Sequence, residues 1–319
     1  MVNRAHLRQH FSKAAARYDE AAVLQKLTAE QMDERLDLVK VEVKQVLDIG
    51  AGTGFLTEKL LARYPHAQIS AVDISENMLQ FARTRLRASP SRKTSRLSRL
   101  KIHLANLFRA HKVVDPVNLI QADAYALPLA DASQDLVVTN FMLQWCDNLD
   151  VVLSEIRRVL RPEGLLMLSS LGPDTLKELR QAWVAVEGEA GHNRMNHFID
   201  MHDLGDALIR AGFGQPVMDV ELYTLTYDQP MGVIKDLKAI GATNAQAGRD
   251  NNLTGKTKFK AMLAAYEQAR RDNKIPASYE VVHGHAWAAP EIIKGPNRSK
   301  DGVYEITLDQ FQNQLKPRS

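Results

Sequence analysis

Residues near the N-terminus keep a helical period. Phe11, Ala15, Tyr18, Ala22 and Gln25 recur every three or four positions, and Leu24, Leu27, Met32 and Leu36 form a second series. They predict helices across residues 1–43, ahead of any sheet and able to lie over it as a lid. At Lys44 the pattern becomes a short β-rich run, QVLDI, then GAGTG, then the helical FLTEKLLARY. Strand, glycine turn and helix follow in that order, with Pro65 ending the unit. A second strand, AQISAV, ends at Asp73, and Ser75 is placed to cap the helix ENMLQFARTRLR.

Further strands are predicted at VNLIQAD, QDLVVTN and LLMLSSL, with the helix LDVVLSEIRRVL and the stop signal RPEG between the last two. Helices at TLKELRQAWVAVEG and MHDLGDALIRAGF precede a sixth strand, PVMDVELYTLTY. Residues 230–275 predict two more helices around a polar loop. SYEVVHGHAWA supplies the last strand, expected as an antiparallel edge. Sequential strands joined by helices pair in parallel through right-handed crossovers. The predicted fold is therefore α/β and Rossmann-like, a mostly parallel seven-stranded sheet with helices on both faces. Its parts are the helical lid (1–43), the core (44–229), a helical cap (230–275), and the last strand with a polar tail (276–319).

Charge changes this picture at one place. The 319 residues include 41 Lys and Arg against 38 Asp and Glu, a net charge of +3. Between Arg83 and Asp115 ten basic residues meet a single acid, so that stretch holds +9 and the remainder 3 − 9 = −6. Residues 88–116 thus read as a basic, partly amphipathic insertion. Such a patch speeds encounter with acidic protein, lipid or nucleic acid, and a solvated surface insertion would look the same. Nucleic-acid binding is the weaker use, because ASPSRKTSRLSR has no interleaved aromatics and no RNA or DNA module accompanies it.

No run approaches the roughly 18 apolar residues of a membrane-spanning helix. MVNRAHLRQHF lacks an apolar signal region, so a cytoplasmic location is expected. Cys146 is the sole cysteine, which excludes an internal disulfide and any four-cysteine metal site. The histidines form no dense ligand pattern, and no metal is expected.

The chemistry concentrates at the strand ends. Asp48-Ile49-Gly50-Ala51-Gly52-Thr53-Gly54 lies between a strand and a helix, where glycines let a ligand approach the backbone. A dinucleotide fold wants its third glycine where Phe55 stands, and the carboxylate of Asp48 disfavours a pyrophosphate. S-adenosylmethionine, with an ammonium and a sulfonium, suits that charge arrangement. Asp73 is placed for the ribose hydroxyls and Asp123 for the adenine amine, with Ala124 beside it and Ile74 as an apolar ring contact. Asn140 reaches the crevice where methionine would lie. All four polar residues stand at carboxyl ends of strands, where open α/β sheets bind ligands.

Longer segments carry a resemblance. FSKAAARYDEAAVLQ, VLDIGAGTG, AVDISENML, ADAYALPLADASQDLVVTNFMLQWCDNL, GPDTLKELRQAW and DLKAIGATNAQAGRD make the chain similar to the BioC family over nearly its whole length. These are malonyl-[acyl-carrier protein] O-methyltransferases of biotin synthesis, with the class I methyltransferase fold. The family's G-C-G loop is GAG here, and the basic insertion is not a usual family feature. The resemblance implies methyl transfer from S-adenosylmethionine, leaving S-adenosylhomocysteine, to the free carboxylate of a malonyl thioester. The thioester is carried on the phosphopantetheine arm of acyl carrier protein, an acidic protein, or on CoA.

Within that reading Tyr18 and Gln25 are candidates for lining the methyl-transfer pocket, with Phe11 and Trp145 as its apolar walls. Arg249 and Arg180 are candidate carboxylate clamps, because a guanidinium can bind both oxygens. A related group also shares TLKELR, HDLGDALIRAGF and DLKAIGATN. These are mitochondrial complex I assembly factors that resemble methyltransferases and are thought to modify an arginine. That group is the competing reading.

Overall fold

The computed structural model describes residues 3–89, 117–242, 244 and 254–289. The basic insertion beyond Ser89, Arg249 and the tail from Pro290 lie outside the described residues. All described elements belong to one compact unit, Met1–Ala288.

Seven strands form one sheet: β1 (Gln45–Ile49), β2 (Gln68–Asp73), β3 (Asn118–Gln121), β4 (Gln134–Asn140), β5 (Leu160–Leu171), β6 (Phe213–Tyr227) and β7 (Ile275–Ala288). Their order is β3-β2-β1-β4-β5-β7-β6. The first five pair in parallel, and β7 runs antiparallel to both β5 and β6. β1 is almost wholly buried, as a parallel strand covered on both faces must be.

The last strand is thus antiparallel as expected, but it is not an edge. β7 sits between β5 and β6, and the long β6 takes the edge. The physical reason lies in backbone pairing, since β7 bonds to β5 on one side and to β6 along nearly its whole length on the other, while its buried run from Val281 to Gly284 shows only that both faces are covered. The segment RPEG is also not simply a stop. It opens β5 as an irregularity in which Glu163 takes φ 63° and the register with β4 shifts between Gln134 and Leu136.

Helices α3 (Phe55–Arg63), α4 (Glu76–Ala88), α5 (Leu149–Val159), α6 (Lys177–Glu187) and α7 (Met201–Arg210) form with the strands. Ser75 caps α4, its hydroxyl accepting from Met78 N at 3.3 Å. α5 buries Val152, Leu153, Ile156 and Val159 against Leu166, Leu168 and Val282 of the sheet. On the other face α2 (Val23–Arg35) packs Ala29 and Met32 with Leu36 over Val46, Leu136 and Leu165. α8 (Pro230–Ala239) and α9 (Lys256–Glu267) build a third cluster with α6 and the Ile275 end of β7. α1 (Arg4–Ala21) crosses the carboxyl ends of the strands, with Arg4 on Asp123 and Asp19 on Thr53. Among the described residues no helix is long and apolar enough to cross a membrane.

Candidate active site

The strand order reverses between β1 and β4, which opens a crevice at their carboxyl ends. The glycine loop after β1 forms its floor. Gly50, Gly52 and Gly54 have φ of +76°, +55° and +81°, a region costly for any residue with a Cβ. The three serve different ends. A Cβ on Gly50 would stand 2.6 Å from Met142 Cβ, and one on Gly54 would stand 2.9 Å from Ala82 Cβ. On Gly52 it would meet nothing nearer than the Gly50 carbonyl at 4.0 Å, so that position is open space. Gly50 and Gly52 line the main cavity, whereas Gly54 caps α3 and lets α4 pack close.

Asp48 is buried beneath this loop, and Thr57 Oγ1 donates to it at 2.6 Å. Burial pushes its carboxyl up to about 7 against the pull of that hydrogen bond, with nearby Asp73 adding to the rise. Asp73 accepts from Gly52 N at 2.9 Å and Ser75 N at 2.8 Å. Burial still pushes it up to about 6. Two acids held above their ordinary range beside one glycine loop make a site that favours an incoming cation.

Asp123 lines the cavity with Ala124 and Ile74, and it is paired with Arg4 of α1 at 3.0 Å. Arg4 also lies 4.4 Å over the ring of Tyr125. Asn140 accepts from Ser169 Oγ at 2.6 Å and donates to the backbone carbonyl of Gln25 at 2.9 Å. The next residue, Phe141, takes φ 53°, and its N–H is held by Ser169. This turn leads into a short 3-10 segment, Leu143–Trp145, which faces the N-terminal helices. Trp145 meets Phe11 edge-on at 5.4 Å.

The cavity holds about 540 Å³. It runs from Gly52, Asp73 and Asp123 past Tyr18, Gln25, Asn140 and Trp145, and continues among apolar residues of the cap. Leu179, Trp183, Ile234 and Phe259 line that far lobe, joined by Tyr227 and Tyr279. Burial first, and Asp73 and Asp19 next, push the Tyr18 phenol well up, so it stays a neutral donor.

The structure therefore brings Tyr18, Gln25, Gly50, Gly52, Asp73, Ile74, Asp123, Ala124 and Asn140 to one cavity, with Asp48 just beneath. It does not bring Arg180 there. That guanidinium donates to the carbonyls of Pro173 at 2.9 Å and Thr175 at 3.3 Å, closing the turn ahead of α6. The residue one step earlier, Leu179, faces the cavity, so the helical phase turns Arg180 away.

Arg194 lines the far lobe, held by both oxygens of Glu187 at 2.6 Å and stacked 5.3 Å from the Trp183 ring. Arg194 pulls Glu187 down to about 2. Sequence reasoning passed over Arg194, Arg4 and Gln144. Gln144 carried a signal, because it lies inside the NFMLQWC segment. It lines the cavity, and its Oε1 is buried with no partner among the described residues.

Residues 47–168 match the family model described as a methyltransferase domain. A crystal structure from Bacillus halodurans, assigned to the methyltransferases, superposes with a TM-score of 0.51 at 16% identity. It covers 82% of this chain and 99% of that one, and it shows the fold. Two malonyl-[acyl-carrier protein] O-methyltransferases, from Methylovorus sp. and Laribacter hongkongensis, are each 48% identical over 90% of both chains. A third relative of that name, from Coxiella burnetii, is 35% identical over 90% of this chain and 88% of its own. A likeness that deep and that long makes this chain a member of the malonyl-[acyl-carrier protein] O-methyltransferase family.

Proposed function

We propose that this protein transfers the methyl group of S-adenosylmethionine to the free carboxylate of a malonyl thioester on acyl carrier protein. The curated relatives supply the substrate class, and they fall on the carboxyl-methyltransferase side of the two sequence readings. The structural observation that carries the proposal is the continuity of one cavity. Its near end is ringed by carboxyl groups, its far lobe is mostly apolar, and Tyr18, Gln25 and Asn140 stand where the two meet.

The residues present fit the nucleoside. Gly52 leaves open space where a Cβ would project, the buried Asp48 and the half-buried Asp73 lie beside it, and Ile74 and Ala124 offer apolar contact. Asp73 would hold the ribose hydroxyls, Asp123 the adenine amine, and Asp48 with Asn140 the amino-acid end. When bound, S-adenosylmethionine supplies an electrophilic methyl on a positively charged sulfur. Among this chain's own groups, Tyr18 and Gln25 position the acceptor carboxylate, and Phe11 and Trp145 exclude water from it.

No general base is needed. Carboxylic acids titrate near pH 4, so the malonyl carboxylate is already ionised at neutral pH. The protein's work is alignment, which can supply a large share of the acceleration. Neutral donors such as Tyr18 and Gln25 suit this task, because they orient an oxygen without tying up its charge. Arg249 stays a candidate clamp, and Arg180 is committed to backbone carbonyls. Esterification removes a charge that is costly to bury in an apolar pocket, which readies the unit for chain extension. The reaction would take place in the cytoplasm.

The test is transfer of labelled methyl from S-adenosylmethionine to malonyl carrier protein, with acetyl carrier protein and free malonate in parallel. Label on the malonyl carrier alone supports the proposal. Equal labelling of the acetyl carrier, which has no free carboxylate, rejects it.

A further inference from the structure

Among the described residues most surface cations are spoken for. Arg4, Arg35, Arg63, Arg85 and Arg158 each hold acids. Among the described residues, only nine lysine and arginine side chains make no ion pair, hydrogen bond or ring contact. Two of them, Lys40 and Arg271, are scattered. The other seven stand on three helices, with Arg8, Lys13 and Arg17 on α1, Lys235 and Lys238 on α8, and Lys256 and Lys260 on α9.

These helices are neighbours. Gly241, just past α8, lies against Phe11 and Ala14 of α1, and α9 packs on α8 and α6. On α9, Lys258 turns to Glu187 of α6, and helical spacing places Lys256 and Lys260 on the opposite flank. The acids of the three helices do little to neutralise the group. Asp19 is taken by Arg85 and Thr53, Glu267 by Arg270, and Asp236 lines the cavity, which leaves only Glu20 exposed.

The cavity opens at this surface. Arg4 and Lys238 are the exposed residues among those lining it, and Lys238 is the one belonging to the cap.

We propose that the outer flanks of α1, α8 and α9 form the docking surface for the acidic carrier, with Lys238 at the entrance its thioester arm uses. The inference rests on the carrier-dependent reading above and deepens it, by assigning the partner to a surface distinct from residues 90–116. Charge complementarity selects the occupant, since unpaired cations around a pocket mouth steer an anionic protein toward it. An arm tethered through a phosphodiester would bring its own negative charge past Lys238.

The test compares kcat/KM for malonyl carrier protein with that for malonyl-pantetheine, a small thioester with no protein to dock. The variants are Lys13→Glu/Arg17→Glu, Lys256→Glu/Lys260→Glu and Lys235→Glu, and a control is Arg92→Glu/Lys93→Glu in the basic insertion. The paired reversals on α1 and α9 are expected to lower carrier kcat/KM at least about tenfold at low salt, mainly through KM. Malonyl-pantetheine turnover should stay within about twofold, and the carrier defect should shrink as salt screens the wild-type advantage.

Unchanged carrier kinetics in both pairs would overturn the proposal, as would an equal loss on both substrates. So would a carrier defect confined to the insertion control, or loss of nucleic-acid retention with carrier turnover intact. Failure of the underlying reading is separately visible, because wild-type protein would then methylate neither malonyl substrate.

Discussion

Asn140 Nδ2 donates to the backbone carbonyl of Gln25 at 2.9 Å, tying the end of β4 to the first turn of α2. The contact is one of a series. Asp19 accepts from Thr53 Oγ1 in the loop after β1 at 2.6 Å, and Ser12 Oγ meets Ser75 Oγ after β2 at 2.9 Å. Arg4 reaches Asp123 after β3. The N-terminal helices therefore touch the carboxyl end of every strand from β1 to β4.

Arg4→Ala removes the outermost of these ties. An exposed ion pair with a ring contact is worth about 1 kcal/mol, so the S-adenosylhomocysteine Kd should rise roughly threefold to tenfold by calorimetry. Tighter binding would mean that Arg4 competes for Asp123 instead of supporting the lid.

Asp73→Asn should cost more. Hydrogen bonds to a charged acceptor contribute about 1.5–3 kcal/mol each, which corresponds to a loss of at least tenfold in S-adenosylmethionine affinity. Thermal stability should fall little, because the amide oxygen can still accept one of the two backbone N–H groups of Gly52 and Ser75. An unchanged Kd would remove Asp73 from the site.

The glycines separate fold from function. Gly54→Ala combines positive φ with a 2.9 Å approach to Ala82 and should destabilise the protein by about 1–3 kcal/mol. Gly52→Ala meets open space, so it should lose only the backbone term, about 1 kcal/mol, while cofactor binding collapses. Thermal melts with and without S-adenosylhomocysteine distinguish the two. A large ligand-induced shift in Gly52→Ala would contradict the assignment.

The two raised acids predict a pH dependence. Asp48, near 7, and Asp73, near 6, have folded values above the roughly 3.9 of an unfolded Asp. The folded state therefore holds more protons between those values, and its stability from these groups falls as pH rises through 6 to 7. Asp48→Asn should be more stable than wild type near pH 8, with the gap closing toward pH 5. Binding a cationic ligand favours the ionised acids, so S-adenosylmethionine affinity should weaken as pH drops below about 7. A flat affinity profile from about pH 8 to 5.5 would contradict this coupling.

His283 acts in the opposite sense. It is buried, with neither ring nitrogen partnered among the described residues, and burial followed by Arg35 pushes its pKa down. Glu221 and Asp219 of β6 face it and pull the other way. The unfolded chain then binds the extra proton, and the stability this group provides is lost as pH falls below about 6.5. His283→Leu should flatten the decline in thermal midpoint on acidification. An equal decline in both proteins would locate the acid sensitivity elsewhere.

How much of this was legible in the sequence depends on what kind of information each feature needs. Asp48, Asp73, Asp123 and Asn140 could be located because each stands at or just past the carboxyl end of a strand whose apolar run is local. Ser75 could be read as a cap for the same reason. The place of β7 inside the sheet could not, since a strand's period says nothing of its neighbours. Arg180 and Arg194 show the same limit. One looked helical and cationic, yet its phase turns it away, while the other sat in a loop without periodicity and is held by Glu187 and Trp183 through the fold. The tie from Asn140 to Gln25 joins residues 115 positions apart through a backbone carbonyl, which leaves no mark on side-chain pattern.

The most direct test is intact-mass spectrometry of malonyl carrier protein after incubation with this protein and S-adenosylmethionine. The account predicts a mass gain of one methylene on the acyl arm, reversed by mild base, and absent with S-adenosylhomocysteine in place of the donor. An unmodified malonyl arm in the presence of protein that demonstrably binds S-adenosylmethionine, or a base-stable methyl on the carrier polypeptide, would contradict it.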